Sequence, residues 1–179
     1  MVNDTCKSMQ RERNFKIYLN NPSMRAALFN PVDAKDDTLI GYLAECAVFS
    51  QWQHAITSHW LRYSRWKRGE VDIVYLGGAN FKPTWIGEIK WSDNYRASPH
   101  HETKNLKYLI DRHPTVKTSL LTTRTIREAT ELSGISLNVW PTAVYCYMVG
   151  RNVTSDFTLS LRYGLPEDDE SGELVEAAE

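Results

Sequence analysis

Two short apolar runs constrain this chain most: Glu70-Val71-Asp72-Ile73-Val74-Tyr75-Leu76 and Trp85-Ile86-Gly87-Glu88-Ile89-Lys90-Trp91. Each is rich in β-branched and aromatic side chains and bounded by turn residues, the signature of a strand. Between them lie Gly77, Gly78, Asn80 and Pro83, which suit a hairpin loop. Side chains alternate faces along a strand, so Glu88 and Lys90 share a face. A symmetric hairpin sets Asp72 opposite Glu88. Directly opposed residues have β-carbons about 4.5–5.5 Å apart, where like charges repel. Two carboxylates and a lysine then converge on strands that are otherwise apolar, and a divalent cation is the simplest group that offsets the repulsion.

At 179 residues the chain is long enough for one domain with a full core. No apolar run approaches the roughly 18 residues of a membrane-spanning helix, so no membrane association is expected. Residues 1–13 are polar and mixed in charge, which predicts a flexible segment and no secretory signal. Cys6, Cys46 and Cys146 are far apart and form no CxxC. Neither a zinc ribbon nor a redox pair is supported, and reduced thiols in a cytoplasmic location are expected.

The net charge of −1 hides an asymmetry. Seven of the 22 acids fall in residues 164–179, which hold no Lys or Arg and are expected to form a solvated, disordered tail. The remaining chain carries 15 acids against 21 basic residues, a balance that suits a polyanionic partner. Arg62, Arg65, Lys67 and Arg68 crowd the approach to Asp72 and are the candidate nucleic-acid contacts.

The pattern predicts a strand over 15–19, then a short helix over 22–29 with Asn21 as its cap and Pro22 at its start. A loop over 30–37 leads into a long helix over 38–54. Residues 60–66 have strand character and make a three-strand meander with the two runs above. A helix over 102–112 ends before Pro114. A strand over 116–122, a helix over 126–132 with Gly134 beyond its end, and a last strand over 142–149 complete the chain.

The long helix supplies a third acid. Tyr42, Glu45, Phe49 and Trp52 follow the 3, 4, 3 spacing of one helical face. Glu45 is therefore flanked by aromatic groups, and a lone buried carboxylate is costly unless paired, protonated or bound to a metal. An Arg from the 62–68 cluster is one partner for it. The acids of the hairpin are the other reading, with a shared cation between them.

A helix Glu45, a strand Asp72 and a following Glu88-Ile89-Lys90 resemble the PD-(D/E)xK nuclease superfamily. More narrowly, the chain resembles a nuclease-like domain of unknown function at the C-terminal end of prokaryotic P-loop ATPases. The matching segments are Phe15 to Leu19 with Asn21-Pro22-Ser23-Met24-Arg25, Gly41-Tyr42-Leu43-Ala44-Glu45, Tyr63 to Trp66 before Glu70-Val71-Asp72, and Glu88-Ile89-Lys90-Trp91-Ser92. The resemblance implies an α/β (α+β) fold over residues 14–163. Its restriction-endonuclease-like core is a central mixed sheet flanked by helices, in the order α-β-β-β-α-β. Val71 stands where the superfamily name has Pro. The chain has no GxxxxGK[ST] loop, so it carries no ATPase part of its own.

The resemblance further implies Mg²⁺ as cofactor, with Mn²⁺ as substitute, held by Asp72, Glu88 and the Ile89 carbonyl. Glu45 then holds a second ion or orients a water, and Lys90 stabilises developing charge. The implied activity is phosphodiester hydrolysis of nucleic acid, with DNA the expected substrate. The alternative is a non-catalytic module of the same fold that binds DNA, forms a homodimer or docks to a P-loop ATPase. A small toxin-like or defence-associated effector is a third reading.

Other residues have plainer readings. His100-His101 beside Glu102 read as a solvated turn before a metal cluster. Ser92 and Asp93 read as caps before phosphate contacts, and His113 as a favourable charge at a helix end. Trp66 and Trp91 lie near the acids, where stacking on bases competes with packing against strand neighbours.

Overall fold

The computed structural model describes residues 16–78 and 80–154. The 1–13 segment, Phe15, Cys6 and the 164–179 tail lie outside the described residues. Helices α1 (Ser23–Leu28) and α2 (Asp37–Trp52) come first. They are followed by a 3-10 turn (Ile56–Trp60) and strands β1 (Leu61–Trp66), β2 (Gly69–Gly77) and β3 (Lys82–Glu88). A short turn (Asn94–Arg96) leads to α3 (Pro99–Arg112), β4 (Thr118–Thr123), β5 (Glu128–Leu132), β6 (Ile135–Pro141) and α4 (Thr142–Thr154).

The six strands form one mixed sheet in the order β1-β2-β3-β4-β6-β5. The β1-β2-β3 meander is antiparallel, and α3 carries the chain across to β4, which runs parallel to β3. β6 lies parallel beside β4, and β5 closes the edge antiparallel to β6. A parallel pair needs a crossover of a dozen residues or more, and α3 supplies it.

Two cores sandwich the sheet. On one face Val48 and Trp52 of α2 and Tyr145 and Val149 of α4 pack on Ile73, Tyr75, Trp85 and Leu120. On the other, Leu106, Leu109 and Ile110 of α3 pack on Val74, Ile86, Leu121 and Val139. β4 is buried along its whole length, as a central parallel strand must be.

Four sequence expectations need correction. Lys16 to Leu19 form no strand; they run as irregular chain past α2, where the Leu19 carbonyl accepts from Cys46 Sγ. Asn21 does not cap α1 from the expected position: Pro22 is the cap residue, although Asn21 Oδ1 accepts from Ser23 N at 2.9 Å. Residues 126–132 are not helical. They lead into β5, and Ser133 and Gly134 form a two-residue turn with φ of 52° and 83°. Positive φ at both central positions gives the turn a twist that matches a strand pair, so Gly134 joins two strands here and does not end a helix. Finally, residues 142–149 belong to α4. Its buried Thr142, Tyr145, Val149 and Asn152 keep the 3, 4, 3 spacing of one helical face.

Candidate functional site

The hairpin places the acids. β2 pairs with β3 in the register Ile73↔Gly87, and one further step along that register sets Asp72 across from Glu88. Asp72 also sits in an irregularity of the other ladder. Arg62 pairs with Val74 and Ser64 with Val71, so Tyr63 alone faces both Asp72 and Ile73. This is a β-bulge, which interrupts the alternation and re-aims a side chain. Its effect is visible in the packing: Val71 and Val74 enter the α3-side core, and Ile73 enters the α2-side core.

Asp72 is 6% exposed and its two oxygens have different partners. Oδ2 accepts the Ile89 backbone N–H at 2.9 Å, which ties the carboxylate to the chain just past β3. Oδ1 accepts from Lys16 Nζ at 2.8 Å. The same ammonium donates to Glu45 Oε1 at 2.9 Å and lies 3.2 Å from Glu70 Oε1. Burial alone lowers the Lys16 pKa, but Asp72 and Glu45 outweigh it and hold the ammonium charged. Lys16 was not among the expected site residues. Its only signal is its place in the 15–19 segment.

Glu45 reaches the strands through this lysine. No Arg of the 62–68 cluster pairs with it among the described residues. Tyr18 donates to Glu45 Oε1 at 2.5 Å, and the Tyr18 ring stacks on Phe49 with centroids 4.1 Å apart. Burial first, and then the Glu45 charge, push the Tyr18 hydroxyl far above its ordinary pKa, so it remains a donor. Tyr42, expected beside Glu45, is 64% exposed; Tyr18 and Phe49 form the aromatic wall instead.

Glu88 and Lys90 form the neighbouring pair, with Lys90 Nζ 2.9 Å from Glu88 Oε1. Asn105 and Glu102 of α3 act on this pair, whereas α2 acts on Asp72 through Glu45 and Lys16. Asp72 also raises the pKa of both Glu88 and Lys90, so the three groups lie within electrostatic reach of one another at the end of the sheet. Glu88 is 2% exposed, and its Oε2 is buried with no hydrogen bond of good geometry, although the Asn105 side chain lies close enough to the carboxylate to act on it. Burial, and then the Asp72 charge, push its pKa up to about 7 in spite of Lys90. Glu88 in turn holds the Lys90 pKa up against burial.

The backbone between the acids and α4 is pinned. Lys90 N donates to Thr122 Oγ1, while the Lys90 carbonyl accepts from Thr122 and Thr142 hydroxyls at 3.0 and 2.9 Å. These bonds fix the stretch that presents Ile89 and Lys90.

The expected basic residues Arg62, Arg65, Lys67 and Arg68 are exposed along β1 and the turn to β2. Arg65 Nε lies 3.8 Å from Glu70, and Arg62 Nη1 donates to the His59 and Leu61 carbonyls at 2.7 Å. The remaining candidates lie elsewhere. His101 bonds Glu102 at 3.2 Å on the exposed start of α3. Asp93 accepts from Thr125 N and Oγ1 and does not cap the next turn. Trp66 stacks on Tyr108, and Trp91 lies under the Arg124 guanidinium, itself paired with Asp37.

A divalent cation is tested by the donor set. Glu45, Glu70, Asp72 and Glu88 bring four carboxylates together with the Lys16 and Lys90 ammonium groups, and Arg65 lies 3.8 Å from Glu70. Hard oxygen donors of this kind suit Mg²⁺ or Mn²⁺. Glu88 Oε2 is an available donor, and the Lys16 ammonium is a stand-in cation among the other three acids. As placed, no group of three or more His, Cys, Asp or Glu side chains among the described residues stands ready to hold an ion. Glu45 and Asp72 can serve together only once Lys16 moves aside.

No protein-family model, curated protein or solved structure matches this chain. Among the described residues no helix is long and apolar enough to cross a membrane.

Proposed function

We propose that this chain is a Mg²⁺-dependent phosphodiesterase of the PD-(D/E)xK type, with a restriction-endonuclease-like core that acts on DNA. The observation that carries the reading is the Asp72–Ile89 bond beside the Glu88–Lys90 pair. It places the strand Asp next to the Glu-x-Lys tripeptide, with a buried oxygen that has no hydrogen bond of good geometry. The run α2-β1-β2-β3-α3-β4 has the element order that such a core requires.

Asp72, Glu88 and the Ile89 carbonyl are the groups that would hold the ion, with Glu45 held back by Lys16. When bound, the ion polarises the phosphoryl oxygen and lowers the pKa of the attacking water. Lys90 presents a fixed positive charge to the phosphate oxygens, where charge develops during cleavage. Tyr18 and Lys16 orient Glu45, and the threonine bonds to Lys90 keep its backbone still. Arg62, Arg65, Lys67 and Arg68 attract the nucleic-acid backbone toward this end of the sheet.

A second reading has one observation in its favour. Lys16 already compensates three acids, as in an ion-paired network with a purely structural role. In that reading the chain is a non-catalytic nucleic-acid-binding module, a homodimer or the docking partner of a P-loop ATPase. A nuclease assay with Mg²⁺ or Mn²⁺ on single- and double-stranded substrates separates the two. Cleavage that Lys90→Ala abolishes supports the enzyme. Tight binding with no cleavage under any metal supports the module.

A further inference from the structure

A cleft of about 440 Å³ opens beside the acids, and Asp72 and Lys16 lie in its wall. Half of the rest of the lining is aromatic, namely Tyr18, Phe49, Trp52 and Tyr63, with Arg62 among the polar groups. Its volume falls within the range of small-molecule sites, which run from about 300 to 1,000 Å³. We propose that this cleft receives one unpaired nucleobase of a strand whose adjoining phosphate lies at Asp72. The inference rests on the nuclease reading and extends it to a substrate class.

Three features argue for that occupant. Tyr18 and Phe49 are stacked nearly parallel at 19°, so they present an ordered aromatic wall on which a flat heterocycle can pack. Cations sit beside the rings: Lys16 Nζ is 6.0 Å from the Tyr63 ring centroid, and Arg62 forms no ion pair among the described residues. A phosphate chain entering past Arg62 meets positive charge before it meets the acids. Polar groups that can read a base edge, the Gln53 amide and the Ser58 hydroxyl, also line the cleft. A base stacked in a duplex cannot pack on the aromatic wall of this cleft without leaving its partner, at a cost of a few kcal/mol. The preferred substrate is therefore single-stranded, or a duplex with a flipped, frayed or mismatched nucleotide at the scissile position.

The test is binding in EDTA, where cleavage cannot interfere. Fluorescein-labelled oligonucleotides of one sequence are compared as single strand, as duplex and as an abasic strand. Ser58→Phe fills the cleft without removing a ring, and Tyr63→Leu removes one; circular dichroism checks that each variant is folded. The native chain is expected to bind the single strand about tenfold tighter than the duplex or the abasic strand. Ser58→Phe is expected to lose that tenfold on the single strand and nothing on the abasic strand. Equal affinity for intact and abasic strands, preference for the duplex, or no binding of any oligonucleotide overturns the proposal. The nuclease reading is scored separately with Mn²⁺. Cleavage that is indifferent to Ser58→Phe and to strandedness sinks the cleft alone, whereas base-dependent binding without cleavage sinks the nuclease and leaves the cleft as a binding site.

Discussion

Asp72 Oδ1 accepts a hydrogen bond from Lys16 Nζ at 2.8 Å, and this contact links residues 56 positions apart. It makes a lysine outside the hairpin the cation of the acid cluster. Any ion that the cluster is to bind must compete with an ammonium that is already there.

Lys16→Met should therefore have two opposite effects. Without metal, Asp72, Glu45 and Glu70 lose their common counter-charge. Breaking a buried pair costs about 3–5 kcal/mol, but Lys16 and Glu70 are 22% and 39% exposed, so a loss of about 1–2 kcal/mol is expected. With Mn²⁺, the variant should gain more than the native chain, because the acids are free to bind. The gain follows RT ln(1 + [L]/Kd), roughly 2.7 kcal/mol at a hundredfold excess over Kd. Thermal melts with and without Mn²⁺ measure both effects. A variant that Mn²⁺ stabilises less than the native chain would show that Lys16 belongs to the metal-bound state.

Glu88 sets a pH dependence of definite sign. Its pKa is raised from 4.5 to about 7, by burial first and by Asp72 second. The native state therefore binds more protons than the unfolded state between those values. Stability falls as pH rises from about 4.5 to 7 and is flat above, by linkage. Glu88→Gln removes the cost of the charged form and should be more stable than the native chain at pH 8, by on the order of 2–3 kcal/mol. The advantage should shrink toward pH 5. Urea unfolding of both chains at pH 5, 6, 7 and 8 gives the difference, and an advantage that grows as pH falls would contradict the assignment.

The buried hydrogen bond from Trp52 Nε1 to Tyr145 Oη, 3.1 Å long, ties α2 to α4 across the core. Burial pushes the Tyr145 hydroxyl pKa up, so it stays neutral at any working pH. Tyr145→Phe keeps the ring and leaves the Trp52 N–H unpaired in a core where Trp52 is 2% exposed. The expected loss is about 1–3 kcal/mol, the desolvation cost of an orphaned donor. Urea unfolding checks it, and a loss below about 0.5 kcal/mol would mean that the indole N–H finds another acceptor.

Much of this architecture is legible in the sequence. The β1-β2-β3 meander follows from β-branched runs and a glycine-containing loop, because local pattern and turn chemistry agree there. The errors fall where one pattern admits two periods. Residues 142–149 are apolar, β-branched and aromatic, which suits a strand; the spacing of Thr142, Tyr145, Val149 and Asn152 and the length beyond Val149 decide for a helix. β5 is an exposed edge strand with almost no apolar face to announce it. The acids were visible because charge is rare in buried strands. Lys16 was not, because its role depends on where an irregular segment crosses α2. The bulge opposite Tyr63 was invisible for a related reason: it is a mismatch between two strands, and neither carries it alone.

The basic residues along β1 separate binding from cutting. Arg65 and Lys67 are exposed, and among the described residues Arg65 has the 3.8 Å contact with Glu70 to offset it. If the two contact the phosphate backbone, binding falls with salt at a slope of about −0.9 per contact on duplex DNA and about −0.7 on a single strand. Replacing both by Ala should flatten the slope by between one and two units. Lys90→Ala acts elsewhere. Its ammonium is paired with Glu88 and partly exposed, and in the proposed nuclease it meets charge that develops in the transition state. That variant should abolish cleavage and change affinity by less than about threefold. Fluorescence anisotropy from 50 to 300 mM salt and a gel assay with Mn²⁺ read the two effects side by side. A salt slope unchanged by the double variant would place the nucleic acid on another face. Loss of affinity in Lys90→Ala equal to its loss of cleavage would make Lys90 a binding residue, with no special role in the transition state.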